Sequence, residues 1–263
     1  MDKSSYHSGT DRLTSSGAKE ILKSPAHYML RYGPKAKRPQ PTAAMRFGTA
    51  VHMLILEGEE KFKRHVACRP EGLNLRTKAG KAEMEAFLQA TNIDPGMVFS
   101  QFDYDDMFWM RDAVMKHPVC AEILSDGTPE HYFEWQHGPT GAPCKAIADW
   151  VGGGCMIDLK TCQDASPEGF AKAVYNFKYH LSAQFYLMGD AALNHGQTKQ
   201  WYWIAVEKHT HQVAVYHPDV KMDEIGYRLC EEAINRYAEC KMNNDWPSYP
   251  KVAKELISPS WAR

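Results

Sequence analysis

A chain of 263 residues that is 44% hydrophobic can bury a substantial core, and its formal charge of −1 offers no bulk attraction to a polyanion. No apolar run reaches the roughly 18 residues of a membrane-spanning helix, and the opening MDKSSYHSGTDR lacks the apolar stretch of a secretory leader, so a cytoplasmic protein with no membrane partner is expected. Seven irregularly spaced cysteines without a CxxC pair argue against a zinc ribbon and for reduced thiols.

Along the chain, TSSGAKEILKSPAHYMLRYG predicts a helix capped by Ser15 or Ser16, with Ile21 and Leu22 turned inward and Ser24-Pro25 breaking it before a second short turn. Proline-rich GPKAKRPQPT reads as an exposed linker, and with Arg31 it forms a basic cluster through Lys35, Lys37 and Arg38. From Thr42, TAAMRFGTAVHMLILEG predicts a helix of about four turns. On it Ala44, Gly48 and His52 recur every fourth residue, a small-residue stripe ending in an imidazole. Residues 66–100 read as loop-rich around a helix near 78–90, which begins at a second basic cluster of Arg76, Lys78 and Lys81. Either cluster alone is also what solvated loops look like.

The segment YDDMFWMRDAVMKHPVCAEIL resumes a helical period, and EHYFEWQ, PCKAIADWV and CMIDLKT follow as strands, with GPTGAP making the first turn. Two helices come next, SPEGFAKAVYNF with proline at its first position and YHLSAQFYLMGDAAL. Strands QWYWIAVEK and QVAVYHP, the long helix DEIGYRLCEEAINRYAECKMN and an irregular tail complete the chain. This order implies one mixed α/β domain over residues 1–263, with N-terminal helices in 1–60, a sheet core in 128–218 and a helix and tail in 219–263.

The stretch ADWVGGGCMIDLKTC, residues 148–162, carries the chemistry. Strand alternation puts Asp158 and Lys160 on one face while Ile157 and Leu159 enter a core. Gly152-Gly153-Gly154 can supply the positive φ of a tight hairpin. A turn at Gly153-Gly154 would set Gly152 opposite Cys155, Asp149 opposite Asp158 and Ile147 opposite Lys160. Carboxylates at cross-strand distance repel unless a cation lies between them, and oxygen ligands of this kind suit Mg²⁺ or Mn²⁺. Glu57 and Glu130 are candidate outer ligands, though each reads more simply as an exposed or salt-bridged acid.

The pattern Asp149, then Asp158-Leu159-Lys160, preceded by a helical Gly48 and His52, resembles the PD-(D/E)xK nuclease superfamily. Taken in order, SPAHYMLRYG, RFGTAVHMLILEG, LRTKAGKAEMEAF, DLKTCQDASPEGF, YHLSAQFY and IAVEK are similar to the RecE-type exonuclease VIII nuclease family, with phage exonucleases of the lambda type more distant. The resemblance implies a restriction-endonuclease-like domain, one mixed sheet with flanking helices. It implies Mg²⁺, replaceable by Mn²⁺, held by His52, Asp149, Asp158 and the Leu159 carbonyl. Lys160 would orient the attacking water, and Tyr186 would belong to the catalytic helix. Arg12, Ser15 and Ser16 would meet a 5′ phosphate, and Arg46, Arg76, Lys78 and Lys145 would lie along the DNA.

By the same resemblance the activity is degradation of the 5′-ended strand of linear duplex DNA, leaving a 3′ strand for a single-strand annealing protein in phage-type recombination. The protein would be a ring-shaped homo-oligomer, trimer or tetramer. One departure stands out: the family carries Gln four residues before the tyrosine, whereas here Ser182 holds that place and Gln184 falls on another helix face. Two rivals remain, an endonuclease using the same hairpin and an inactive DNA-binding module. The second would show a lost acid or lysine, and Asp149, Asp158 and Lys160 are all present.

Overall fold

The computed structural model describes residues 11–36 and 39–258. Among the described residues seven α-helices precede the main sheet: α1 (Ser15–Lys23), α2 (Pro25–Tyr32), α3 (Ala43–His52), α4 (Glu59–His65), α5 (Lys78–Thr91), α6 (Gln101–Lys116) and α7 (Pro118–Ile123). Between them a parallel two-residue pair joins β1 (Ala67–Cys68) to β2 (Val98–Phe99). The sheet strands are β3 (Thr128–Gln136), β4 (Pro143–Val151), β5 (Cys155–Cys162), β6 (Gln200–Glu207) and β7 (Val213–Tyr216). Helices α8 (Pro167–Asn176) and α9 (Tyr179–Leu193) connect β5 to β6, and α10 (Val220–Asn243) follows the sheet.

The five strands lie in the order β3-β4-β5-β6-β7, with β5 and β6 parallel and every other neighbouring pair antiparallel. Strand β6 shows why the sheet is covered on both sides. Trp201, Trp203 and Ala205 enter a core shared with Ile21 of α1, Phe185 of α9 and Tyr237 of α10. The alternate residues Tyr202, Ile204 and Val206 enter a second core with Val51 of α3 and Met107, Met110 and Val114 of α6. A strand buried on both faces reads as a continuous apolar run, as QWYWIAVE does. Each large side chain so buried contributes on the order of 1.5–3 kcal/mol.

Local chemistry sets the helix starts. Thr14, not Ser15 or Ser16, caps α1 by accepting from the Gly17 N–H, which leaves Ser15 buried in the first turn and Ser16 exposed. Ser24 caps α2, which is a full eight-residue helix with Pro25 at its first position rather than a short turn. Helix α3 is capped by Thr42 and passes after His52 into a π-helical turn over Met53–Glu57. Such wide turns are frequent at functional sites. All seven cysteines are free thiols. Among the described residues no helix is long and apolar enough to cross a membrane.

The β4–β5 hairpin departs from expectation in two ways. Gly152 N–H does bond the Cys155 carbonyl, at 2.9 Å, but none of Gly152, Gly153 and Gly154 has a positive φ. Gly152 is instead required by close approach, since a Cβ there would stand 2.7 Å from the Asp126 carbonyl oxygen. The ladder then holds Val151 to Met156 and Trp150 to Ile157 and goes no further. Ile147 therefore does not face Lys160; it pairs with Tyr132 of β3. Ala148 lies in the first core while Trp150 lies against the second, so β4 turns over at Asp149 as it leaves β5.

Candidate active site

Where the two strands part, a side chain takes over from the ladder. Asp149 Oδ2 accepts a hydrogen bond from the Leu159 backbone N–H at 3.1 Å and lies 3.3 Å from His52 Nδ1 at the end of α3. On β5, Ile157 and Leu159 are fully buried in the second core, so Asp158 and Lys160 point the other way, toward α1 and α9. Asp158 is 7% exposed and forms an ion pair with Lys160. The Lys160 ammonium also lies 5.1 Å from the centre of the Tyr179 ring. The Gly48 position faces β5, where a Cβ would meet Thr161 Oγ1 at 3.5 Å.

The electrostatics divide the two acids. Burial, reinforced by the neighbouring Asp158 charge, pushes Asp149 well above the ordinary carboxylate range. Burial presses Asp158 upward too, but the Lys160 ammonium and hydrogen bonds from Asp149 and Lys160 outweigh it and hold Asp158 low. Lys160 is raised: burial opposes its charge, and the carboxylates of Asp158 and Asp149 more than restore it. Asp149 is thus biased toward its neutral form beside an Asp158 that is paired with Lys160.

The acidic row extends one strand further than expected. Glu130 on β3 interrupts the ladder between the Pro129–Trp150 and His131–Ala148 pairs, which places it across from Asp149. It adopts a left-handed φ of 50°, and its charge adds to the upward pressure on Asp149. Glu57, by contrast, is buried and paired with Lys61, as a salt-bridged acid. Among the described residues no three His, Cys, Asp or Glu side chains form a ready-made metal cage. The donor chemistry still fits a hard divalent cation, because two carboxylates meet in a largely buried site where the charge of Asp158 opposes the ionisation of Asp149.

The other sequence-derived residues scatter. Arg12 is already engaged, with Nε 2.7 Å from Glu134 and Nη1 2.7 Å from Asp11. Ser15 Oγ lies 3.4 Å from the Tyr186 hydroxyl, and the Tyr186 ring contacts Phe133, Phe185 and Trp201. Arg46 donates to the Pro41 carbonyl at 2.5 Å. Lys145 is 4% exposed on β4, opposite Glu134, so it is no surface contact for a phosphate backbone; strand alternation turned it into the sheet. Arg76, Lys78 and Lys81 are exposed around the start of α5, and Arg31 lies 3.7 Å from Glu20. Lys37 and Arg38 lie outside the described residues. Gln184 donates to Asp223 of α10, which accounts for its displaced position.

One neighbour of the site carries no mark in the sequence pattern. Lys19 of α1, four residues after Ser15, brings its ammonium within 5.6 Å of the centre of the Tyr179 ring, the same ring that meets Lys160. Burial and then repulsion from Lys160 bring Lys19 down to about 8. The helical spacing from Ser15 was the available signal.

Comparison with known proteins agrees with the fold. Among solved structures, the chain is similar to one from Eubacterium rectale named "Putative exonuclease", with 14% identity, coverage of 98% of this chain and 96% of that one, and a TM-score of 0.66. At that identity the likeness is one of fold. A second structure, SSO0001, is 14% identical over 61% of this chain and 69% of that one, but its TM-score of 0.30 carries no argument. No curated protein matches the chain in sequence. The profile of the PDDEXK-like domain of unknown function (DUF3799) matches residues 14–256, and the chain belongs to that family.

Proposed function

We propose that this protein is a Mg²⁺-dependent exonuclease that degrades the 5′-ended strand of linear duplex DNA. The observation that carries the reading is the pairing of Asp149 and Asp158 where β4 leaves β5, with Lys160 on one carboxylate and His52 on the other. Asp149, Asp158, His52 and the Leu159 carbonyl would hold the cation, with Mn²⁺ as a substitute. When bound, it supplies Lewis acidity and neutralises charge building on the phosphate. Lys160, kept as an ammonium by the carboxylates of Asp158 and Asp149, orients the attacking water and favours its deprotonation by stabilising the hydroxide that forms. Tyr186 positions the α1 side of the site through Ser15.

A 5′ phosphate at Arg12 must displace the carboxylates of Glu134 and Asp11, so end recognition exchanges one anion for another. Exposed Arg76 and Lys78 offer phosphate contacts along the duplex. The 3′ strand left behind would pass to a single-strand annealing protein, in phage-type recombination in the cytoplasm, and the enzyme would work as a closed homo-oligomeric ring. The test is digestion of linear duplex labelled at either 5′ or 3′ ends, beside covalently closed circular DNA, with Mg²⁺. The reading requires early release of 5′ label and an intact circle. A cut circle would assign the hairpin to an endonuclease, and no cleavage of either to a binding module.

A further inference from the structure

The connection between α8 and α9 is a two-residue joint, Phe177-Lys178, directly beside the site. It is pinned: Phe177 N–H bonds the Ala173 carbonyl at 2.9 Å, Lys178 N–H bonds that of Tyr175 at 3.3 Å, and Lys178 takes a left-handed φ of 52°. A side chain held on such a corner has a fixed direction. Phe177 is nevertheless 60% exposed, and its ring stacks on Tyr179 at 5.5 Å with 27° between planes. Tyr179 in turn contacts Phe170 inside the first core, 6.4 Å away. A column of three rings therefore runs from the core to the surface.

Cations lie along this column. The ammonium groups of Lys160 and Lys19 both lie near the middle ring, at 5.1 and 5.6 Å from its centre, and Lys178 is close enough to both Lys19 and His180 to act on their charge. Tyr175, two residues before Phe177, is 45% exposed. An exposed flat ring stacked on a second ring that two ammonium groups approach, and leading through it to the Asp158–Lys160 pair, matches an unpaired nucleotide, whose base stacks while its phosphates lie toward the lysines. An apolar peptide would use the ring and gain nothing from the ammonium groups.

We infer that Phe177 is a stacking platform for an unpaired base of the strand being cut, a subsite that holds the strand end in register with Lys160. This rests on the nuclease reading above. The two ring and ammonium steps, 5.1 and 5.5 Å, span roughly three base rises of a stacked strand, so the base concerned lies within the first few nucleotides.

The experiment places 2-aminopurine at each of the first four or so positions of a short 5′-overhang duplex and titrates in protein with EDTA present, so that no turnover occurs. Wild type should bind and change the fluorescence of one position most strongly. Phe177→Ala should bind roughly tenfold more weakly and lose that position's signal, and Phe177→Trp should restore both. Melting temperatures close to wild type confirm that both variants are folded. If Phe177→Ala binds and signals like wild type, or if Phe177→Trp restores nothing, the platform is wrong while the nuclease reading stands. If wild type binds no DNA in EDTA the platform falls, and if it also releases no nucleotide from linear duplex with Mg²⁺ the nuclease reading falls with it.

Discussion

Asp149 replaces a rung of the β-sheet: its carboxylate, not a carbonyl of β4, accepts the Leu159 N–H, at 3.1 Å. That substitution lets β4 turn away without leaving a buried donor unsatisfied, and it brings the carboxylate against Asp158. The structural bond and the chemical role share one group, which has consequences for stability.

Asp149→Asn keeps an oxygen for the Leu159 N–H and removes the ionisable group. Asp149 is raised in the folded state, so its ionisation destabilises the metal-free protein increasingly as pH rises above the unfolded carboxylate range, near pH 4. The variant should therefore melt higher than wild type at neutral pH without metal, by something on the order of 1 kcal/mol, and the gain should vanish below about pH 4. Calorimetry across that range checks it; a gain independent of pH would contradict the assignment.

Lys160 and Asp158 should separate cleanly. Lys160→Ala removes no oxygen donor and releases Asp158 from an ion pair that competes with a cation. Mn²⁺ affinity measured by isothermal titration should hold or rise in Lys160→Ala and fall at least tenfold in Asp158→Ala, while turnover collapses in both. Equal loss of affinity in the two variants would contradict the division of roles.

Lys19 gives a second pH signature, of opposite origin. Burial and Lys160 lower it to about 8 from 10.5, so the folded state resists its charge. Its penalty is complete below pH 8, shrinks between the two values and is absent above the upper one. Lys19→Met should accordingly stabilise the DNA-free protein by ~1–2 kcal/mol at neutral pH, after allowing for partial solvent access, and by nothing at high pH. Denaturant melts at two pH values decide the point.

Gln184 should be structural. It donates to Asp223, whose carboxyl burial has raised, and it lies beside Gly226 on α10. Gln184→Ala should cost about 1–2 kcal/mol by stranding that carboxyl, with kcat unchanged. A stable but inactive variant would return Gln184 to the site.

The central strands were legible in two ways: QWYWIAVE is a continuous apolar run because it is buried on both faces, and CMIDLKT alternates apolar and charged residues over Ile157–Lys160. The trio of Asp149, Asp158 and Lys160 was readable from hairpin arithmetic, and the turn pairing Gly152 with Cys155 came out as counted. What counting could not give was the loss of the ladder after Trp150, since that depends on Asp149 substituting for backbone. Lys145 was misplaced because a basic residue in PCKAIADWV looks like a surface charge until the sheet around it is known. Glu130 could be named only as a candidate outer ligand, and Lys19 is not marked at all, for a related reason: each joins the cluster only across strands or helices that sequence spacing does not order.

The role proposed for the Asp149–Asp158 pair is cation-dependent cleavage of a phosphodiester. The most direct measurement is single-turnover release of nucleotide from linear duplex DNA by wild type and Asp158→Asn, each with Mg²⁺ and with EDTA. Release is expected only by wild type with Mg²⁺, with the variant slower by at least about a thousandfold. Release that persists in EDTA, or in a folded Asp158→Asn, would contradict it.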